Sequence, residues 1–283
     1  MIVSIIMNLI NIVGNAIGIF VFHAGVTGVG IATLIARAAA AVIMMYLSFN
    51  RKNEVFIRLP EIFSWNGKMI RKILNIAIPN GIENGIVQLG RVLLTSIIAL
   101  FGTTQIAANG VTNSLAGMAV SFPTAMNLAI VTVVGQCVGA NDYSQATYYT
   151  KKLMKITYVG TLCINLGMIL LLPWILNLYT LSAETRQLTY ILVVIHNCFA
   201  ILLWPVSFTL SYGLRAAGDV RFPMIISIIS MFVFRISFAY ILGVVFHMGV
   251  IGIWIAMGID WTFRSIVFVD RFRRGQWKNF QVI

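Results

Sequence analysis

Glu83 is the residue whose surroundings most demand a chemical explanation. It follows Pro79 by about one helical turn, and Pro79 removes a backbone donor and can kink the helix that carries it. Asn80, Asn84, Gln88, Arg91 and Thr95 share this stretch of chain. At about 100° per residue these five fall within about 80° of one another, with Glu83 about 60° beyond Asn80. The stretch is otherwise apolar, and at lipid depth an ionised side chain costs roughly 2.5–3.5 kcal/mol. Such a stripe either lines a watery cavity or bonds neighbouring helices as glue. In the cavity reading Glu83 is a proton or cation relay, because no basic residue stands four positions away on its helix and an unpartnered carboxyl is free to gain and lose a proton.

Three other groups bear on chemistry. Asn109, Asn113, Thr124 and Asn127 repeat the polar pattern in the next apolar run, and His196 and Asn197 precede a Trp204-Pro205 kink. His196 reads as a pathway residue or as a packing residue with its hydrogen bonds met. Asp260 and Arg264, at i and i+4, read as a structural ion pair in which each neutralises the other. Cys137, Cys163 and Cys198 form no CxxC pair and have no His at ligand spacing, so they read as small packing residues and no metal site is expected. Walker, nucleophile-elbow and HExxH motifs are absent from the sequence, which points to no enzyme and no cofactor.

The elements that position these groups are set by composition. Of the 283 residues 59% are hydrophobic and 10% charged, with a mean hydropathy of +0.92; an ordinary soluble domain has roughly 25% charged residues. Apolar runs of about twenty residues, enough to cross roughly 30 Å of hydrocarbon, recur near 2–22, 25–49, 74–100, 105–137, 155–178, 187–212, 222–246 and 249–269. They are continuous rather than alternating, which excludes a β-barrel and predicts an all-α, polytopic membrane protein with eight transmembrane helices. The net charge of +12 would suggest a nucleic-acid partner in a soluble chain, but here its placement marks a membrane side. Fifteen of the 20 basic residues, Arg51, Lys68, Lys151, Arg221 and Arg274 among them, fall in connections on one side, against Arg186 alone on the other. The sequence thus predicts cytoplasmic 50–72, a helix at 142–155 lying along the cytoplasmic surface, and a cytoplasmic C-terminus, with 50–73 ending in a short interfacial helix.

The two ends of the chain also match each other. Phe22-His23-Ala24-Gly25-Val26-Thr27-Gly28 pairs with Phe246-His247-Met248-Gly249-Val250-Ile251-Gly252 at an offset of 224, and Met1-Ile2-Val3-Ser4-Ile5-Ile6 with Met224-Ile225-Ile226-Ser227-Ile228-Ile229 at 223. Six spans separate the copies, so they are parallel repeats about an axis along the membrane normal, and the first repeat is expected to lack about 150 residues.

Four motifs, in order, resemble the multidrug and toxic compound extrusion (MATE) transporters. They are Ile78-Pro79-Asn80-Gly81-Ile82-Glu83-Asn84; Gly102-Thr103 with Ile106-Ala107-Ala108-Asn109; Gly135-Gln136-Cys137-Val138-Gly139-Ala140; and Gly213-Leu214-Arg215-Ala216-Ala217-Gly218-Asp219. Residue by residue, 135–140 reads as a tight helix end, and the last motif as a cytoplasmic turn anchored by Arg215 and Asp219. The resemblance implies a two-lobe, 6+6 parallel-repeat transporter whose lobes form a V around a cavity. Residues 1–49 would be the last two helices of the first lobe, 50–73 the inter-lobe linker, 74–274 the second lobe and 275–283 a cytoplasmic tail. It also implies a plasma-membrane antiporter that exports organic, often cationic, compounds in exchange for H+ or Na+. The partners would be the lipid bilayer, a small organic substrate and the missing first-lobe helices. Several MATE branches carry a functional acid in the helix of Glu83; others place one near the sixth span, where this chain has none between Glu184 and Asp219. A lipid-linked saccharide flippase of the same superfamily, for which the lobe offers chiefly Arg91 and Arg235, and a non-transporting remnant are the alternatives.

Overall fold

A computed structural model describes residues 2–50, 56–57 and 66–280. Eight of its helices are long and apolar enough to cross a membrane. The chain divides into two compact units, Met1–Met69 and Ile70–Ile283.

The first unit is a helical hairpin. Helix α1 (Ile2–Ala16) runs through a π-helical turn, Ile17–Val21, into the bend before α2 (Gly25–Ser48). Small residues let the two backbones approach: a Cβ added at Gly18 would sit 3.1 Å from Gly28 main-chain atoms, and Ala32 and Ala36 are buried. Asn11 donates across the pair to Thr33 Oγ1 at 3.1 Å.

In the second unit α3 is Gly67–Ala99, α4 Thr103–Ala119, α5 Ser121–Gly139 and α6 Tyr143–Asn177. Helix α7 (Ala183–Trp204) continues through a π-helical turn at Pro205–Thr209 into Leu210–Ala216. Helix α8 (Arg221–Ile229) continues through two more, Ser230–Ile236 and Ile241–Val245, and α9 is Gly249–Arg273. Helices α4 and α5 are one span broken at Val120. Pro123 cannot donate to the carbonyl four residues back, that of Ala119, and the buried Asn165 of α6 donates to that carbonyl at 3.4 Å instead. The core gathers around α9, where Ile253, Trp254, Met257 and Trp261 pack with Leu94, Ile98, Leu192, Trp204 and Met231.

The matched sequence stretches adopt one backbone shape. His23 and His247 have φ of 47° and 54°, and Gly25 and Gly249 of 52° and 59°. A π-helical turn precedes each bend, closed by Phe22 N–H on Ile17 O in one and Phe246 N–H on Ile241 O in the other. Positive φ at a non-glycine residue is uncommon, so its recurrence at the same offset of 224 is independent support for the duplication.

Two expectations are corrected. Residues 142–155 do not form a separate surface helix: Asp142 caps α6 by accepting from Gln145 N–H at 2.9 Å, and the helix then runs unbroken for 35 residues. At 1.5 Å per residue it is about 52 Å long, so its lysine-bearing turns extend beyond the hydrocarbon with no glycine or proline to break them. Likewise α3 begins at Gly67, inside the stretch read as linker; the rest of that linker, at 51–55 and 58–65, lies outside the described residues.

Candidate functional site

The polar face of α3 meets the C-terminal part of α7. Glu83 is buried, and both its carboxylate oxygens accept from Arg215 Nη2 at 2.7 Å, while Arg215 Nη1 donates to Asn80 Oδ1 at 3.2 Å. Tyr212 lies one turn before Arg215, its ring 5.5 Å from the guanidinium carbon. Glu83 therefore has a basic partner, contrary to the expectation, and Arg215 does not anchor a turn with Asp219. Asp219 pairs with Arg271 of α9 at 2.8 Å, and the Arg271 guanidinium lies 4.4 Å from the Phe222 ring. Helical spacing reveals only partners one turn away, whereas this one is 132 residues distant.

A second charged cluster sits deeper, where α8 crosses α9. Asp260 is fully buried; its Oδ1 accepts from Arg264 Nε at 2.9 Å and from the Ser230 hydroxyl, and its Oδ2 lies 3.6 Å from Arg235 Nη1. Arg264 also donates to Ser230 Oγ at 3.2 Å and to the Ser227 carbonyl at 3.3 Å. Ser230 opens a π-helical turn and Arg235 lies within it, so the local widening of α8 positions two of the partners. One carboxylate thus serves two arginines where the sequence suggested one.

Between the clusters lies a cavity of about 680 Å³. Glu83, Asn84, Arg91, Thr95, Asn109, Asn113, Thr124, Asn127 and His196 line it, together with Arg215, Arg235 and Arg264. Its aromatic wall is Trp204, Phe208, Tyr212, Trp254 and Trp261. Most of these groups are held in place. Asn127 accepts from Thr209 at 2.8 Å, Asn109 from Trp254 Nε1 at 3.1 Å, and Asn113 donates to the Asn109 carbonyl at 2.9 Å. His196 is buried edge-on to Trp254 and Trp261, with ring centroids 5.5 and 5.7 Å away, and its Nδ1 is 3.2 Å from Asn197 Oδ1. The π-helical turn that starts at Pro205 carries Ser207, which donates to the Trp261 carbonyl at 2.7 Å.

Some singled-out residues stand off the wall. Asn80 reaches the site only through Arg215, Gln88 is exposed elsewhere on α3, and Asn197 is buried behind His196. The residues missed are Arg215, whose signal was an arginine in a basic-side motif with a buried acid unaccounted for, and the tryptophans of α9, which at Trp254 and Trp261 repeat with the seven-residue spacing of one helix face. Among the described residues, no group of three or more His, Cys, Asp or Glu is arranged to hold a metal ion.

The MatE family model matches residues 79–241, more than half of the chain. An uncharacterised transporter, YisQ of Bacillus subtilis, is 27% identical over 284 residues, covering 98% of this chain and 61% of its own length. A probable multidrug resistance protein, NorM of Thermotoga maritima, is 24% identical over 92% of this chain and 55% of its own. Among solved structures, an outward-facing multidrug resistance MATE transporter of the MOP superfamily aligns with a TM-score of 0.87 at 22% identity, over 98% of this chain and 62% of that one. A MOP superfamily transporter from Pyrococcus furiosus, described as having a binding pocket of reverse polarity that suggests a different function, also aligns with a TM-score of 0.87, at 21% identity. The chain spans about three-fifths of the length of these relatives.

Proposed function

Because the chain belongs to the MatE family, we propose that it serves secondary active export, in which H+ or Na+ enters as an organic compound, often cationic, leaves. The cavity carries this reading. A space of about 680 Å³ falls within the roughly 300–1,000 Å³ of small-molecule sites, and a polar chamber inside a multi-pass membrane bundle has to be offset by a function. The multidrug-resistance names of several relatives support a drug-like substrate. In this reading Glu83 is the ion site, where an incoming proton or Na+ competes with the Arg215 guanidinium. Residues 1–49 supply the last two helices of a first lobe and 74–274 the second lobe, joined by 50–73, with 275–283 as a tail. The connection at 50–72, the start of α6 and the C-terminus face the cytoplasm of a plasma-membrane protein.

A second reading, the flipping of a lipid-linked saccharide, draws support from the arginines. The cavity adds Arg215 and Arg264 to the Arg91 and Arg235 that the sequence offered.

Alternating access needs two lobes around one site, so the test compares the 283-residue chain alone with the chain joined to the first-lobe helices of the Bacillus subtilis relative. In proteoliposomes an imposed H+ or Na+ gradient is expected to drive dye movement in the joined protein and none in the chain alone. Dye movement that persists when ionophores collapse the gradient would contradict the coupling.

A further inference from the structure

The charges on the cavity wall do not balance. Glu83 and Arg215 close on each other, which leaves Arg91, Arg235 and Arg264 with Asp260 as the one nearby carboxylate among the described residues. Arg235 and Arg264 share that carboxylate, and Arg91 has no side-chain partner among the described residues. His196, the remaining titratable group on the wall besides Tyr212, contributes no negative charge. Three guanidinium groups against one carboxylate leave two positive charges uncompensated inside a membrane bundle, where such charges are costly unless a counter-charge arrives.

The hydrogen-bond inventory gives the same sign. Among the described residues of the wall and the Asp260 cluster, the buried side-chain polar atoms without a hydrogen-bond partner are three donors, Arg215 Nε, Arg235 Nε and Trp261 Nε1, and one acceptor, Asp260 Oδ2, which already faces Arg235 at 3.6 Å. Trp261 is 4% exposed and its indole N–H meets no protein acceptor. Trp204, Phe208 and Trp254 complete an apolar wall beside these donors.

From this charge and donor excess we infer that the cavity takes an organic anion, which narrows the organic substrate of the export reading to the acidic class in place of the cationic one that the family resemblance implies. The anion's acidic group, a carboxylate or a phosphate, meets Arg91 and Arg235, and an aromatic or apolar body lies against Trp254 and Trp261. A guanidinium fork matches either oxyanion bidentately, so a soluble organic acid and a lipid-borne pyrophosphate share this chemistry. The inference rests on the transport reading for its meaning, but its test needs no transport.

The purified 283-residue chain, in nanodiscs of phosphatidylcholine so that no anionic lipid competes, is titrated with two probes that share a fluorophore. Dansylglycine is an anion at neutral pH and dansylcadaverine a cation. Dansylglycine is expected to bind at least tenfold more tightly, and Arg91→Gln to weaken it about tenfold while leaving the melting temperature unchanged, since the Arg91 side chain holds no other group among the described residues. Arg91→Glu should invert the preference, a gain of cation binding that misfolding cannot produce. Displacement of dansylglycine by farnesyl pyrophosphate at lower concentration than by benzoate supports the inference with a lipid-borne source; the opposite order supports it with a soluble acid. Equal affinity for the two probes, a preference for dansylcadaverine, an unchanged order in Arg91→Glu, or displacement by neither competitor overturns it. The nanodisc measurement involves no gradient, so its failure leaves gradient-driven export standing, and a failure of gradient-driven export leaves an anion preference standing.

Discussion

At the scale of the residue, the pairing of Glu83 with Arg215 changes what a substitution there does. A carboxylate held by two 2.7 Å bonds in a buried setting is a structural tie as well as a titratable group. Removing one partner of such a pair strands the other charge, at about 3–5 kcal/mol for buried pairs. Glu83→Gln and Arg215→Gln are each expected to lower the melting temperature in detergent, and the double substitution to recover much of the loss, with a coupling of about 1–3 kcal/mol in the cycle. Strictly additive losses would mean that the pair contributes nothing. Asp260 differs because two arginines and a serine hold it, so losing its charge leaves two guanidinium groups facing each other. The sequence made Glu83 and Asp260 conspicuous, because acids are rare in apolar runs. It could not show Arg215 on Glu83 or Arg235 on Asp260, since those partners are brought in by helix packing rather than by spacing along one helix.

At the scale of the element, close approach governs. A Cβ added at Gly252 would lie 2.7 Å from the Leu242 carbonyl carbon and 2.8 Å from Gly243 N, both main-chain atoms of the preceding π-helical turn. Gly252→Ala must therefore push α9 away from α8, at about 1–3 kcal/mol for overpacking. Gly167 in α6 meets nothing within 4 Å, so Gly167→Ala is expected to leave stability unchanged or raise it by about 0.5–1 kcal/mol through helix propensity. Fluorescence-detected size-exclusion melting of the two variants checks the contrast; equal effects would refute the packing argument. Element existence was legible because a bilayer requires about twenty apolar residues, a signal that survives loose boundaries. Continuity was not: charge at 151–155 resembled a break between a surface helix and the fifth span, yet α6 carries those lysines without ending. The hydrogen bond from Asn165 to the Ala119 carbonyl that Pro123 leaves free was equally hidden, because it depends on a neighbouring helix.

At the scale of the whole molecule, the eight spans and the one-sided basic residues together fix an expected topology. With Cys137, Cys163 and Cys198 replaced, Ser182→Cys is expected to react with an impermeant thiol reagent in intact cells, and Ser144→Cys only after permeabilisation. The reverse pattern would sink the orientation and the placement of the tail with it.

We propose that ion binding at Glu83 is coupled to movement of an organic substrate through the cavity of the second unit. The most direct test follows the ion itself. Proteoliposomes carrying the joined two-lobe protein, with a pH-sensitive or Na+-sensitive dye trapped in the lumen, should register an ion signal when substrate is added. Glu83→Gln preserves size and keeps one of the two acceptors for Arg215 but cannot exchange a proton; at matched protein, and at a temperature where it remains folded, it should abolish that signal. A wild-type signal from the Glu83→Gln protein would contradict the claim, return Glu83 to a purely structural tie with Arg215 and move the coupling site elsewhere.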